Sequence, residues 1–338
     1  MNISRFMNTK NELIECEAEF VTPAFLGGAD QSAELRAAPF KAALRWWWRV
    51  LFGAQHGDKI YDVESELFGS TEGASKVRVE VLGTLLPQKT NSFNGKKIRV
   101  LSKGREFAID IIDYLAYGLY AYEKGRGNVY GRNHFIAGSR FKIAVYAPKE
   151  QKEEIIVCLK ALFAFGGVGS RSRNGFGSLR IAGGVLPNTV IGANWTQKNL
   201  LEYPTLNKAS NLFETKRTFG AWNEALSDVA IAYKSARSAL EPKHNFETRG
   251  LLSRPIEVRG ETIAENVRKD RSPKQFIMHI AKTSDNKYIG RILTLPIIFY
   301  EPDNRSNYDD MIKKMHAALS QSMNDKTAEI SKLLGVAK

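Results

Sequence analysis

The sequence predicts an α+β protein whose first half runs in the order β-α-β-β-α-β. Three observations carry that prediction. Short stretches of period-two alternation are separated by helical stretches, a glycine-rich loop lies between the last helix and the last strand of the series, and the 338 residues exceed one ordinary domain. The length implies two domains.

The elements follow in order. Residues 13–22 set Ile14, Cys16, Ala18 and Phe20 against Glu15, Glu17 and Glu19, the pattern of a half-buried strand. Pro39 suits the first turn of a helix running to about residue 52. Residues 76–82 alternate through Val77, Val79 and Val81, and residues 140–146 through Phe141, Ile143 and Val145. Between these two strands lies an insertion, at about 85–135, with an apolar helix over 109–122 and a loop, GRGNVYGRN, over 125–133. A second helix is expected over 149–165 and a closing strand over 178–182. This is the ferredoxin-like, RRM-like order, a scaffold shared by RNA-recognition domains but also by many unrelated functions.

The second half reads less clearly. Residues 185–210 form an irregular connection that Trp195 and Tyr203 pack down; a helix spans 219–240; 274–282 and 288–299 make a hairpin turning at 284–286. One long helix over 307–334 closes the chain. This half shows no second glycine-rich loop and no strand after its last helix.

Composition points to the partner. Lys and Arg outnumber Asp and Glu by 49 to 36, a net charge of +13, which favours a polyanion, nucleic acid first. No long amphipathic basic helix suggests a membrane surface, and no stretch approaches 18 apolar residues, so a soluble, cytoplasmic protein is expected. Cys16 and Cys158 are too few for a disulfide framework or a cysteine zinc site. The five histidines show no metal-binding spacing, and neither a metal nor a cofactor is expected.

The most informative stretch is the loop GGVGSRSRNGFG at 166–177, with Gly167, Gly169, Gly175 and Gly177 framing Arg171 and Arg173. Glycine lets backbone N–H groups approach another surface closely, and arginine neutralises a phosphate backbone. The loop lacks the Gly-Lys-Ser/Thr ending of a nucleotide P-loop. It also has Ser172 where a dinucleotide fingerprint needs its third glycine. A plain helix-to-strand turn is the alternative, though one or two glycines suffice for that.

The second constellation is PFKAALRWWWR, residues 39–49. On a helix Lys41, Arg45 and Arg49 form one stripe, while Ala43, Leu44, Trp47, Val50 and Leu51 share the opposite side. Trp46 and Trp48 fall at the margins of the stripe, where an indole can offer a face to a base. The competing reading buries the tryptophans and leaves the cations solvated. A third basic stretch, 254–274, places Arg259 and Arg271 among six cations in a proline-bearing segment that fits either a loop tracking phosphates or a solvated loop.

Together these residues resemble a known family. TPAFLGGAD at 22–30, ELR at 34–36, PFKAALRWWWRVLF at 39–52, ELFGS at 66–70 and the glycine pattern of 167–177 resemble the RAMP superfamily, and within it the first-numbered RAMP subunits of Cmr (type III-B CRISPR) effector complexes. The match covers about residues 13–182. It implies two ferredoxin-like domains, the second divergent: 1–184 with the insertion, and 185–338 ending in a long helix. It also implies a non-catalytic RNA-binding subunit at the head of a ribonucleoprotein, near the 3′ end of the guide RNA. Its partners would be guide (crRNA) and target single-stranded RNA and the other Cmr subunits. By similarity Lys41, Arg45, Arg49, Arg171 and Arg173 are the RNA contacts, and Arg132 in the insertion loop joins the set. Related backbone subunits cut RNA with a loop aspartate, but Asp30 reads better as a loop or capping carboxylate.

Two other functions compete: a metal-independent endoribonuclease that processes guide-precursor RNA with His134 as general acid or base, and a module that binds duplex DNA.

Overall fold

The computed structural model describes residues 11–28, 32–90, 92–102, 105–189, 191, 201–240, 250–253, 272–298 and 305–336. In the first half, β1 (Asn11–Phe20), β2 (Arg78–Leu82), β7 (Arg140–Pro148) and β8 (Leu179–Gly183) form one antiparallel sheet in the order β2-β7-β1-β8. Alternation explains the register. Val145 stands between Val79 and Ile14 on one face, and Tyr146 between Arg78 and Leu13 on the other. The inward face packs on α1 (Ala37–Phe52) and α4 (Lys152–Phe165).

Helix α4 is buried on every side from Ile155 to Phe165, Lys160 included. Its apolar circumference reflects its place: the first sheet and α1 cover part of it, and β10 (Phe276–Lys282) and α7 (Ile330–Leu334) cover the rest. A short helix, α2 (Ile60–Phe68), which the sequence reading did not assign, packs beside α1.

The insertion is built differently from expectation. The residues read as one helix over 109–122 are the end of β4 (Arg105–Asp110), the short α3 (Ile111–Leu115) and β5 (Tyr120–Glu123). Asp110 caps α3 by accepting from the Ile112 N–H at 2.8 Å, and Gly118 at φ +87° turns the chain out of it. β4 pairs with β3 (Lys97–Ser102), and β5 pairs with β6 (Gly127–Tyr130).

The second half holds β9 (Leu212–Thr215), α5 (Trp222–Ser238), β10, β11 (Tyr288–Thr294), α6 (Arg305–Ser322) and β12 (Met323–Asp325). Its sheet runs β10-β11-β9-β12. Both sheets therefore place their strands in the order second, third, first, fourth. The expected unbroken helix over 307–334 is corrected: it breaks into α6, β12 and α7, and β12 pairs antiparallel with β9 as a closing strand. Among the described residues no helix is long and apolar enough to cross a membrane.

Candidate nucleic-acid interface

The glycine loop is first of all a joint. Its distal half reaches the second sheet, where Asn174 pairs with Met278 of β10, the Met278 N–H donates to Arg173 O (3.1 Å) and the Ile280 N–H donates to Ser178 Oγ (3.1 Å). It also packs on the segment after β1: the Ser170 N–H donates to Phe25 O, the Gly177 N–H to Pro23 O, and Thr22 Oγ1 to Gly175 O.

These contacts revise the expectation of an N–H cradle. The amides of Val168, Ser170, Asn174, Gly175, Gly177 and Ser178 already donate within the protein. The glycines are required by packing. Gly169, at φ +89°, lies where a Cβ would come 2.5 Å from Phe25 O, and a Cβ on Gly177, at φ +61°, would collide with Val168 O. Gly175 and Gly177 are buried, so their expected contact with RNA is corrected: they present no surface.

The proximal half of the loop does present one. Gly167, Gly169, Ser172 and Arg173 face Pro39, Ala43 and Trp46 of α1 across a cleft of about 390 Å³. The small residues keep the cleft open, and its two large polar-edged groups meet. The Arg173 guanidinium lies over the Trp46 ring, 5.0 Å from its centroid. Burial lowers the Arg173 pKa from its ordinary value, yet arginine stays charged at any physiological pH. Trp46 is half-buried and braced edge-on by Trp47 at 4.9 Å. A half-covered indole beside a charge fits a base and its phosphate.

The cationic stripe of α1 is built differently. Arg49 grips the buried Glu64 carboxylate of α2 in a fork, Nε to Oε2 at 2.8 Å and Nη2 to Oε1 at 2.6 Å. Arg45 donates to the same carboxylate and, through Nη1, to Gly69 O at 2.9 Å. Both arginine side chains remain about one-third exposed. Lys41 is half-buried, its pKa lowered by burial and by Arg45. None of the three lines the cleft.

Trp48 is a correction. It is 1% exposed, donates its indole N–H to Glu154 Oε2 (2.7 Å) and stacks on His56, so it has no face to offer. Arg171 points away from the cleft into a second cavity with Lys274 and Tyr117. Arg132 is exposed on the insertion. Asp30, Arg259 and Arg271 lie outside the described residues. The cysteines are buried, and burial pushes the Cys16 thiol up to about 12.

The free face of the first sheet is a poor RNA platform. It carries Glu15, Glu17 and Glu80 beside Lys142, and its aromatic residue, Tyr146, has Arg78 over its ring. His134, the candidate general acid or base, is 3% exposed among Phe25 and Phe93, and burial lowers its pKa. It has no open path to a substrate proton.

The sequence reading missed Glu64, which lies on α2, a helix it had not assigned. Lys274, the last cation of the basic stretch over 254–274, is brought down to about 7 by burial and its arginine neighbours.

A two-sheet α+β chain joined by a glycine-rich loop is the class that this geometry defines, and known proteins share it. The model of the RAMP superfamily matches residues 17–180. CRISPR system Cmr subunit Cmr1-2 of Pyrococcus furiosus is 30% identical over 180 residues, 49% of this chain and 92% of that protein. Cmr1-1 of the same organism is 32% identical over 152 residues, 44% of this chain but 40% of the relative. The chain belongs to the RAMP superfamily, and within it the Cmr1 subunits are what it resembles. The crystal structure of apo Cmr1 from P. furiosus shares the fold, with a TM-score of 0.51 at 20% identity over 93% of this chain and 98% of that one. A chain of the type III-B Cmr-beta complex bound to cognate target RNA does so with a TM-score of 0.54 at 12% identity, over 92% of this chain and 100% of that one.

Proposed function

We propose that this chain is a non-catalytic RNA-binding subunit of a type III-B (Cmr) CRISPR ribonucleoprotein of the cytoplasm, engaged in antiviral defence. It sits at the head, near the 3′ end of the guide RNA, and helps the guide engage target single-stranded RNA alongside the other Cmr subunits. Its two domains, 1–184 and 185–338, are ferredoxin-like, a reading supported by the strand order that the two sheets share. The observation that carries the proposal is the cleft in which Trp46 and Arg173 meet, in a chain of net charge +13. Backbone and stacking contacts of this kind predict little sequence preference.

The test is the purified chain mixed with labelled single-stranded RNA of guide and unrelated sequence, with and without magnesium. Binding that tolerates sequence, weakens with salt and leaves the RNA intact is expected. Cleavage abolished by His134→Ala, or tighter binding to duplex DNA, contradicts the proposal.

A further inference from the structure

Besides the Trp46 cleft, the glycine loop lines a second cavity, of about 410 Å³, shared with the insertion, α5 and the residues just before β10. That volume lies in the range of about 300–1,000 Å³ common to small-ligand pockets. Its mouth carries the loop's other arginine. Arg171 stands at φ +59°, where glycine is at ease and a long side chain is strained. The other non-glycine residues at positive φ among the described residues are Asn94 and Asn286, a type that tolerates this conformation. Arginine therefore occupies position 171 against the local preference of the backbone.

The strain has no internal compensation. Arg171 is exposed, and its guanidinium has no hydrogen-bond or ion-pair partner among the described residues. It rests on bare backbone: a Cβ on Gly118 would lie 2.8 Å from Arg171 Nη2. The neighbouring Tyr117 lines the same cavity and is 72% exposed. An open guanidinium beside an open aromatic ring thus repeats, for Arg171, the meeting of Arg173 with Trp46. The half-buried Lys274 adds a second cation, with only neutral acceptors, Arg173 O at 3.2 Å and Asn174 Oδ1. The opposite wall is already braced. Asp113 accepts from Asn128 Nδ2 (2.8 Å) and Tyr130 Oη (2.6 Å), and Tyr114 Oη accepts from Arg237 Nη1 (2.9 Å), which closes the insertion onto α5.

We propose that this cavity holds one unstacked nucleotide, its phosphate on the exposed Arg171 guanidinium and its base against the Tyr117 ring. The planar fork of arginine matches two phosphate oxygens at once, and a tyrosine face accepts any base. Lys274 supplies positive field without a contact of its own. The nucleotide is either free or part of a single-stranded RNA. The second source rests on the RNA-binding reading above; the first does not.

Isothermal titration calorimetry of the whole chain with adenosine 5′-monophosphate, adenosine and inorganic phosphate tests the site. The monophosphate is expected to bind, and adenosine and phosphate, each meeting one half of the site, to bind roughly tenfold or more weakly. Arg171→Gly removes the charge and releases the strained φ, so it melts no lower than the wild type yet binds the monophosphate about fivefold or more weakly. Tyr117→Ala, at an exposed position, also stays folded and weakens binding by about fivefold or more. No binding of the monophosphate by the wild type, equal binding of adenosine or phosphate, or wild-type affinity in either variant overturns the proposal. Fluorescence anisotropy with single-stranded RNA then distinguishes the sources. Weaker RNA binding by both variants assigns the pocket to a nucleotide of the RNA, and unchanged RNA binding with lost monophosphate binding assigns it to a free nucleotide. Neither Arg171 nor Tyr117 lines the Trp46 cleft, so failure here leaves RNA binding at that cleft intact.

Discussion

The Arg173 guanidinium lies 5.0 Å above the Trp46 indole and ties the glycine loop to α1. The same loop, one residue further on, pairs with β10 of the second sheet. Whatever enters the cleft therefore touches the element that holds the two halves together.

Glu64 makes the stripe of α1 testable by stability. Removing Arg49 or Arg45 leaves a buried carboxylate short of a partner, so Arg49→Ala and Arg45→Ala each cost about 1–3 kcal/mol in urea unfolding, and the double variant about 3–5 kcal/mol. Lys41→Ala stays within about 0.5 kcal/mol. Equal stability of all three variants would show that the fork around Glu64 carries no weight.

The glycines separate packing from ligand contact. Gly177→Ala forces a side chain at φ +61° against Val168 O and is expected to cost more than about 2 kcal/mol. Gly27 has open space around it, and Gly27→Ala stays near wild type. A fully stable Gly177→Ala that has lost RNA binding would return the glycine to the ligand.

The joint is sensitive to acid. His279 donates Nδ1–H to Gly166 O at 2.7 Å, and burial, with Arg291 nearby, pushes its pKa down to about 3. The unfolded chain takes up a proton near pH 6.5 that the folded chain refuses, so this stability is full above that pH and is lost as pH falls toward 3. His316, brought down to about 4 by burial, acts in the same direction. His279→Gln keeps an N–H donor without the titration, and its stability between pH 7 and pH 4 is expected to decline less steeply than that of the wild type. An unchanged pH slope contradicts the assignment.

What the sequence reveals follows from what fixes each element. β1 and β7 were legible because one face is buried and the other is not, which writes alternation directly into residues 13–20 and 140–146. α4 was legible as an apolar run. Residues 109–122 misled because Ile111, Ile112, Leu115, Ala116 and Leu119 fall at helical spacing although Asp110 and Gly118 limit the helix to Ile111–Leu115. β12 is three residues long inside a polar stretch, and only its pairing with β9 defines it. The site was half legible. Angles around α1 separated Trp46 from the core, but they could not show that Glu154 of α4 and His56 would cover Trp48, or that Glu64 would claim Arg45 and Arg49. Those partners come from other elements, and no local pattern encodes them.

The central claim is that RNA is held where Trp46 and Arg173 meet. The direct measurement is fluorescence anisotropy of single-stranded RNA titrated with wild type, Trp46→Ala and Arg173→Ala, over a range of salt. Trp46→Ala is expected to weaken binding by about 1–3 kcal/mol, roughly 5- to 150-fold, and Arg173→Ala to weaken it and reduce the salt slope by about one. Wild-type affinity and salt slope in both variants, with both folded, would contradict the account.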